Sequence, residues 1–431
     1  MRSERNLKSL KDQRLLLRRI AVNKKKVLFV INTLGRAGAE TAMITLLERL
    51  LTGEYEGLYD ISLFVITAQG DMCDELPENV RVLNPRLHNV SVLTDEGRRL
   101  LRKTCLRALR SKNGLADHFA YIMRNAISMI SKGRIKADKL MWRVLSDTSE
   151  VFDEHFDLAV AFLEGGATYY VADHVNADVK AAFVHVDYVR AGYGRMLDLD
   201  CYDHMDRVFA VSGEVRESFL KVYPEKGSVT DVFPNLINRE RIISMSKKGP
   251  GFSDGFSGRR IVTAGRLTDQ KSFEISIKAM KLIKDKLKDK PGQVRWYLLG
   301  EGDRRKYLTG LIRDLGLEKD FILCGAVENP YPYIAGADLY VHATGFEGKS
   351  IAIQEAQILG KAVIASDRSG NREQIKNGTD GELCELDPES LADAVLGLIF
   401  DDGLLKKYGD AAAAKEQTDN RAVDKLVSMV K

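Results

Sequence analysis

Two series of short β-rich apolar runs, each alternating with longer helical patterns, flank one glycine- and serine-rich stretch. That alternation constrains the fold more than any other feature of the chain. The first series begins at Val27 to Ile31, passes through a helix from about Glu40 and returns to an apolar run at Ile61 to Ile66. Strand, helix, parallel strand is the unit of a doubly wound sheet. The series continues at Leu158 to Phe162, Ala181 to Val184 and Arg207 to Val211. A second series runs from Arg260 to Ala264 through a helix over Phe273 to Leu287, then Val294 to Leu299, a helix from Asp303, Phe321 to Cys324, Asp338 to Val341, a helix over Ile351 to Leu359 and Ala362 to Ala365. Two such halves predict an α/β chain of two facing Rossmann-like domains, residues 24–246 and 260–415, joined by a linker at 247–259 and followed by a helix at 416–431. At ~100 to 200 residues per domain, a length of 431 residues fits two. Ligands of open sheets sit beyond the carboxyl ends of the strands, so the cleft between the halves is the expected site.

The rhythm breaks at residues 97–145, where Phe119, Ile122, Met123, Ala126, Ile127 and Ile130 follow helical spacing among basic residues, predicting a helical insertion in the first domain. Charge is concentrated there and at the start of the chain. Residues 1–26 hold ten Lys or Arg against two acids and residues 97–145 thirteen against two, so these segments carry +8 and +11 in a chain of net +4, leaving about −15 for the rest. Residues 1–23 read as an amphipathic helix, with Leu7, Leu10, Leu17 and Ile20 opposite Lys8, Lys11, Arg18 and Arg19. Such local charge suggests an anionic membrane surface as a partner. The Phe119 to Ile130 stripe either adds to that attachment or faces the core of its own domain. No nucleic-acid reading module is visible, so no nucleic acid is expected. The five scattered cysteines, without a Cys-x-x-Cys, read as reduced thiols of a cytoplasmic protein, and no apolar run reaches the ~20 residues of a membrane span. The expected location is the cytoplasm, with peripheral attachment to the inner face of the cell membrane.

Several strand ends carry residues suited to a phosphorylated ligand. Gly35-Arg-Ala-Gly38-Ala-Glu40 leads from the first strand into a helix whose start offers N–H groups to an anion, although a plain tight turn would look the same. Arg266 and Lys271 stand five positions apart at a strand end, one planar fork and one point charge, as a diphosphate requires; two solvated cations are the alternative. Gly300 and Gly302 follow another strand and leave room for a flat base or a phosphate. Glu347-Gly348-Lys349-Ser350-Ile351 enters a helix that also carries Glu355. Eight helical positions span ~12 Å, more than the ~5 to 9.5 Å between paired glycosidase carboxyls. The two glutamates could instead grip hydroxyls at two ends of one ligand, or serve as one cap and one solvated side chain. His185 ends a strand of the first half and so can face the cleft, or be a structural histidine. Asp198-Leu-Asp200 reads as a solvated helical face rather than a metal-binding Asp-x-Asp.

Taken in order, Gly35 to Glu40, His185-Val-Asp-Tyr188, Gly265-Arg-Leu with Gln270-Lys271, Leu299-Gly-Glu-Gly302, Glu347-Gly to Glu355-Ala and Ser369-Gly-Asn-Arg-Glu373 resemble family 4 of the retaining glycosyltransferases, which have the GT-B fold. The resemblance covers about residues 25–415. Glu-Gly-Lys-Ser and His-Val-Asp-Tyr look like the branch that builds bacterial capsular, exopolysaccharide or lipopolysaccharide chains. It implies a nucleoside-diphosphate sugar donor, UDP-linked as is common in that branch, a glycan or lipid-linked sugar acceptor, retention of anomeric configuration, and neither metal nor cofactor. Arg266 and Lys271 would then hold the donor diphosphate, Glu355 the ribose and Glu347 the transferred sugar, with His185 beside that sugar and Gly38 over the phosphates. The sequence departs from the family where Ser272 follows Lys271 in place of glycine. A nucleotide-sugar epimerase of the same fold and a non-catalytic membrane-bound scaffold are the competing readings.

Overall fold

A computed structural model of the chain describes residues 24–92, 94–111, 114–131, 137–288, 293–345, 348–415 and 421–430. The expected helix at 1–23 and Glu347 lie outside the described residues.

The first domain holds β1 (Lys25–Ile31), β2 (Tyr59–Val65), the two-residue strands β3 (Gln69–Gly70), β4 (Arg81–Val82) and β5 (His88–Asn89), then β6 (His155–Ala161), β7 (Asn176–Val184), β8 (Arg207–Ala210) and β9 (Thr230–Val232). Seven of these form one sheet in the order β4-β2-β1-β6-β7-β8-β9, every pairing parallel. Helices cover both faces, so the central strands are apolar on both sides: the last five residues of β1 are all buried. The second domain repeats the plan with β10 (Arg259–Ala264), β11 (Val294–Leu299), β12 (Phe321–Gly325), β13 (Leu339–His342), β14 (Ala362–Ser366) and β15 (Glu382–Cys384), in the order β12-β11-β10-β13-β14-β15. Both sheets reverse direction of growth beside their first strand, which opens a crevice at the carboxyl ends of β1 and β10.

The two domains share apolar packing. Ile351 and Ile358, from the helix Ile351–Ile358 of the second domain, belong to a core cluster built on β1 and β2 of the first. The helix Arg421–Val427 returns from the second domain to that same cluster through Val423, Leu426 and Val427, and Tyr55 donates its hydroxyl hydrogen to Asp424 at 2.8 Å. The stretch between the helix Arg239–Ser246 and β10 is docked rather than loose. Phe252 packs its ring against Tyr297 and Tyr333, and Asp254 accepts hydrogen bonds from Arg295 and Tyr297.

Between β5 and β6 the chain forms three helices, Asp95–Arg110, Gly114–Ser131 and Ala137–Asp147, the first capped by Thr94, whose hydroxyl accepts from the Gly97 N–H. Ala137–Asp147 turns Val144 and Leu145 into the core beside β1 and β6. The helix Gly114–Ser131 does not turn its apolar stripe inward, apart from Ile122: Phe119, Met123, Ile127 and Ile130 are exposed. Of the two readings of this stripe, the core-facing one is therefore excluded. The expected solvated face at Asp198-Leu-Asp200 is also corrected in part. Asp198 is fully buried and accepts hydroxyl hydrogens from Tyr169, Tyr188 and Tyr223 at 3.0, 2.8 and 2.8 Å, and burial raises its carboxyl to about 6. Asp200 is the exposed member of the pair.

Candidate functional site

A cleft of about 640 Å³ separates the domains and is walled by both. From the second domain it takes Arg266, Lys271, Gly300, Ser350 and Ile351; from the first it takes Gly38, with Arg36 and Asp71. Six of the residues expected from sequence thus line one cavity.

The wall around Arg266 exists because two strand-end loops meet backbone to backbone. Gly265 N donates to Leu299 O at 3.0 Å and Leu267 N to Glu301 O at 2.9 Å. A Cβ on Gly300 would lie 2.0 Å from the Gly265 carbonyl oxygen, and one on Gly302 would lie 2.4 Å from that of Leu267. No side chain fits there, so the glycines make the approach possible, and Gly302 does this without lining the cleft itself. Arg266 is left exposed on the rim. A 3-10 turn, Asp269–Lys271, brings the Lys271 stem within 3.7 Å of where a Gly265 Cβ would stand, so both cations come from the end of β10.

Opposite them, the helix Gly38–Leu50 opens on the cleft at Gly38, whose Cβ position is 3.4 Å from the Ile351 side chain of the other domain. Ser350 precedes the helix Ile351–Ile358 in extended conformation without using its hydroxyl as a cap; that hydroxyl pairs instead with His342 Nε2 at 3.1 Å. A helix start leaves its first N–H groups without partners inside the helix, and such groups suit an anionic ligand. Gly348 is buried in the domain contact: a Cβ there would stand 2.5 Å from the carbonyl oxygen of His185. Lys349 is half-buried beside it and does not line the cleft.

His185 and Glu355 also stand outside the cleft lining. The His185 ring lies against Phe162 and Phe183, with centroids 5.2 and 6.0 Å away, and burial lowers its pKa to about 3, so the imidazole is neutral at physiological pH. Its Nε2 has no hydrogen-bond partner among the described residues. Glu355 accepts the Tyr331 hydroxyl hydrogen at 2.8 Å, and burial pushes its carboxyl up to about 7.

Two carboxylates are given no role of their own in the sequence reading. Glu40, in the first turn of the helix Gly38–Leu50, is buried and raised to about 7, with the Arg266 guanidinium across the domain boundary pulling it back down. Glu164 follows β6 and accepts the His185 backbone N–H at 2.9 Å, while its own carbonyl accepts from Asn32 Nδ2 at 3.0 Å. It thereby ties the ends of β1, β6 and β7 together. A carboxylate followed by Gly165-Gly166 at a strand's carboxyl end was the available signal.

Two parallel doubly wound domains facing across such a cleft define the GT-B fold. Solved structures agree: HepE of Anabaena, described in complex with UDP, has a TM-score of 0.62 at 18% identity, covering 94% of this chain and 98% of that one. TarM of Staphylococcus aureus has a TM-score of 0.63 at 13% identity, covering 95% and 99%. Residues 258–401 match the family described as glycosyl transferases group 1. Among curated proteins, the chain is 31% identical over 198 residues to the N-acetylgalactosamine-N,N'-diacetylbacillosaminyl-diphospho-undecaprenol 4-alpha-N-acetylgalactosaminyltransferase of Campylobacter jejuni, covering 46% of this chain and 50% of that protein. It is 26% identical over 151 residues to the lipopolysaccharide core biosynthesis glycosyltransferase LpsE of Rhizobium meliloti, covering 35% and 42%. The matches thus span half or less of these curated relatives. No helix among the described residues is long and apolar enough to cross a membrane.

Proposed function

We propose that the chain is a retaining hexosyltransferase. It moves a sugar from a UDP-linked donor to a glycan or lipid-linked sugar acceptor in the assembly of a bacterial cell-surface polysaccharide. The observation that carries this reading is the convergence of Arg266, Lys271, Gly38 and the Ser350–Ile351 helix start on one interdomain cleft. Two cations and the N–H groups of a helix start are what a departing diphosphate needs. As the bond from the anomeric carbon to the β-phosphate oxygen breaks, its electron pair goes to the phosphate, and Arg266 and Lys271 stabilise that charge without reorganising. The acceptor hydroxyl attacks the oxocarbenium-like carbon from the face the phosphate leaves, and its proton passes to the leaving phosphate oxygen. Neutral His185 and Glu347 are assigned to the transferred sugar, Glu355 to the ribose, and the N–H groups of Gly348 to Ile351 to the part of the donor between the two glutamates. The undecaprenyl diphosphate named in the Campylobacter relative's activity supports a lipid-linked acceptor.

A panel of nucleoside-diphosphate sugars incubated with the purified chain and EDTA tests the reaction. One donor should be hydrolysed slowly, and with a sugar acceptor added, NMR of the transferred product should show the donor's own anomeric configuration. Calorimetry with UDP tests the assignments: Glu355→Gln should weaken binding about tenfold, and Glu347→Gln by less than about twofold. Equal losses would reject the division of roles.

A further inference from the structure

The helix Gly114–Ser131 is oriented against its own polarity. Its inward side is held by polar groups: His118 Nε2 pairs with Asp147 at 2.6 Å, the Tyr121 hydroxyl donates to the Leu197 carbonyl at 3.0 Å, and Asn125 Nδ2 donates to the Met196 carbonyl at 3.2 Å. Its outward side carries Phe119, Met123, Ile127 and Ile130, exposed to 59%, 44%, 60% and 61%. A helix in contact only with water would place these the other way round. The loop it grips adds exposed Met196 and Leu199. Together these six supply half of the large exposed apolar side chains among the described residues. Exposed apolar patches of this kind mark an interaction surface.

The adjoining helix, Asp95–Arg110, says what kind of surface. Its exposed side carries Arg99, Arg102, Lys103, Arg107 and Arg110 around Leu106. Two copies of this chain meeting on the insertion would bring those cations together. An anionic bilayer satisfies both elements, because the apolar residues enter the acyl boundary while the cations meet headgroup phosphates.

We infer that the three helices between β5 and β6 dock the first domain on an anionic lipid bilayer through the outward face of the helix Gly114–Ser131. The inference rests on the proposed lipid-linked acceptor for its consequence, delivery of that acceptor to the cleft, but the binding itself can be measured without it. Co-sedimentation of the full chain should show at least about tenfold tighter binding to vesicles with about 30% phosphatidylglycerol than to phosphatidylcholine alone, weakened by salt. The combined variant Phe119→Ser, Ile127→Ser and Ile130→Ser should lose at least about tenfold of that binding. Its hydrolysis of a soluble donor should stay within about twofold of the unmodified chain, since none of the three touches the cleft. Vesicle binding unchanged in the variant would overturn the inference, whatever segment then carries the binding. So would sedimentation equilibrium showing a dimer that the variant dissociates, because the face would then join two copies. If neither protein hydrolyses any donor while vesicle binding behaves as described, the proposed function fails and the docking surface stands.

Discussion

Ser272 occupies a backbone conformation that its side chain disfavours. Its φ of 47° and ψ of 37° are left-handed, at the turn that delivers Lys271 to the cleft and starts the helix Phe273–Lys286. Left-handed geometry costs an L-residue roughly 1 to 2 kcal/mol, partly offset by the freedom glycine adds to the unfolded chain. Ser272→Gly should therefore stabilise the protein by about 0.5 to 1 kcal/mol in urea unfolding, an expectation that an unchanged or lower midpoint would contradict. Glu40 offers a second test at this scale. Its folded pKa of about 7 exceeds the ordinary 4.5, so the folded state holds a proton that the unfolded state releases. Stability from this group is complete below pH 4.5 and is lost as pH rises through 7, by on the order of 3 kcal/mol. Glu40→Gln should flatten the fall in unfolding free energy between pH 5 and pH 8, while Glu355 and Asp198 contribute equally to both proteins.

The proposed catalysis depends on elements that end at one cleft. β10 delivers Arg266 and Lys271, the end of β11 clears space with Gly300 and Gly302, and the helices Gly38–Leu50 and Ile351–Ile358 face them. Removing one preorganised charge from such a set costs roughly 100- to 1,000-fold in turnover. Arg266→Ala and Lys271→Ala should each fall in that range, with circular dichroism unchanged because neither side chain is part of a core cluster. Turnover within about threefold of the unmodified chain in both would remove the diphosphate role.

At the scale of the whole molecule, the proposed function requires the domains to stay in register across the cleft. Gly348 sits where the second domain meets the His185 carbonyl, and Glu373 of the second domain accepts the Glu214 N–H of the first at 3.1 Å. A methyl group at position 348 would meet backbone at 2.5 Å, which cannot yield as a flexible side chain can. Gly348→Ala should thus shift one domain against the other and lower kcat by at least about tenfold, because a displacement of about an ångström is enough to spoil the alignment of reacting groups. Retained kcat would show that the contact gives way cheaply.

The alternation of strands and helices, the two halves and the placing of Arg266 and Lys271 at a strand end were all legible in the sequence, since each depends on local periodicity. The edge strands β9 and β15, three residues each, carry too few residues for a period to register. Other features depended on partners distant along the chain. Asp198 reads as solvated until Tyr169, Tyr188 and Tyr223 close over it, and Glu40 is an ordinary helix-start acid until the packing of the fold buries it. The return of the helix Arg421–Val427 to the first domain is equally invisible, because its apolar residues would suit either core. The insertion shows the division most plainly. Helical spacing determined that Phe119, Met123, Ile127 and Ile130 share a face, whereas only the hydrogen bonds made by His118, Tyr121 and Asn125 with residues elsewhere in the fold decided that this face points outward.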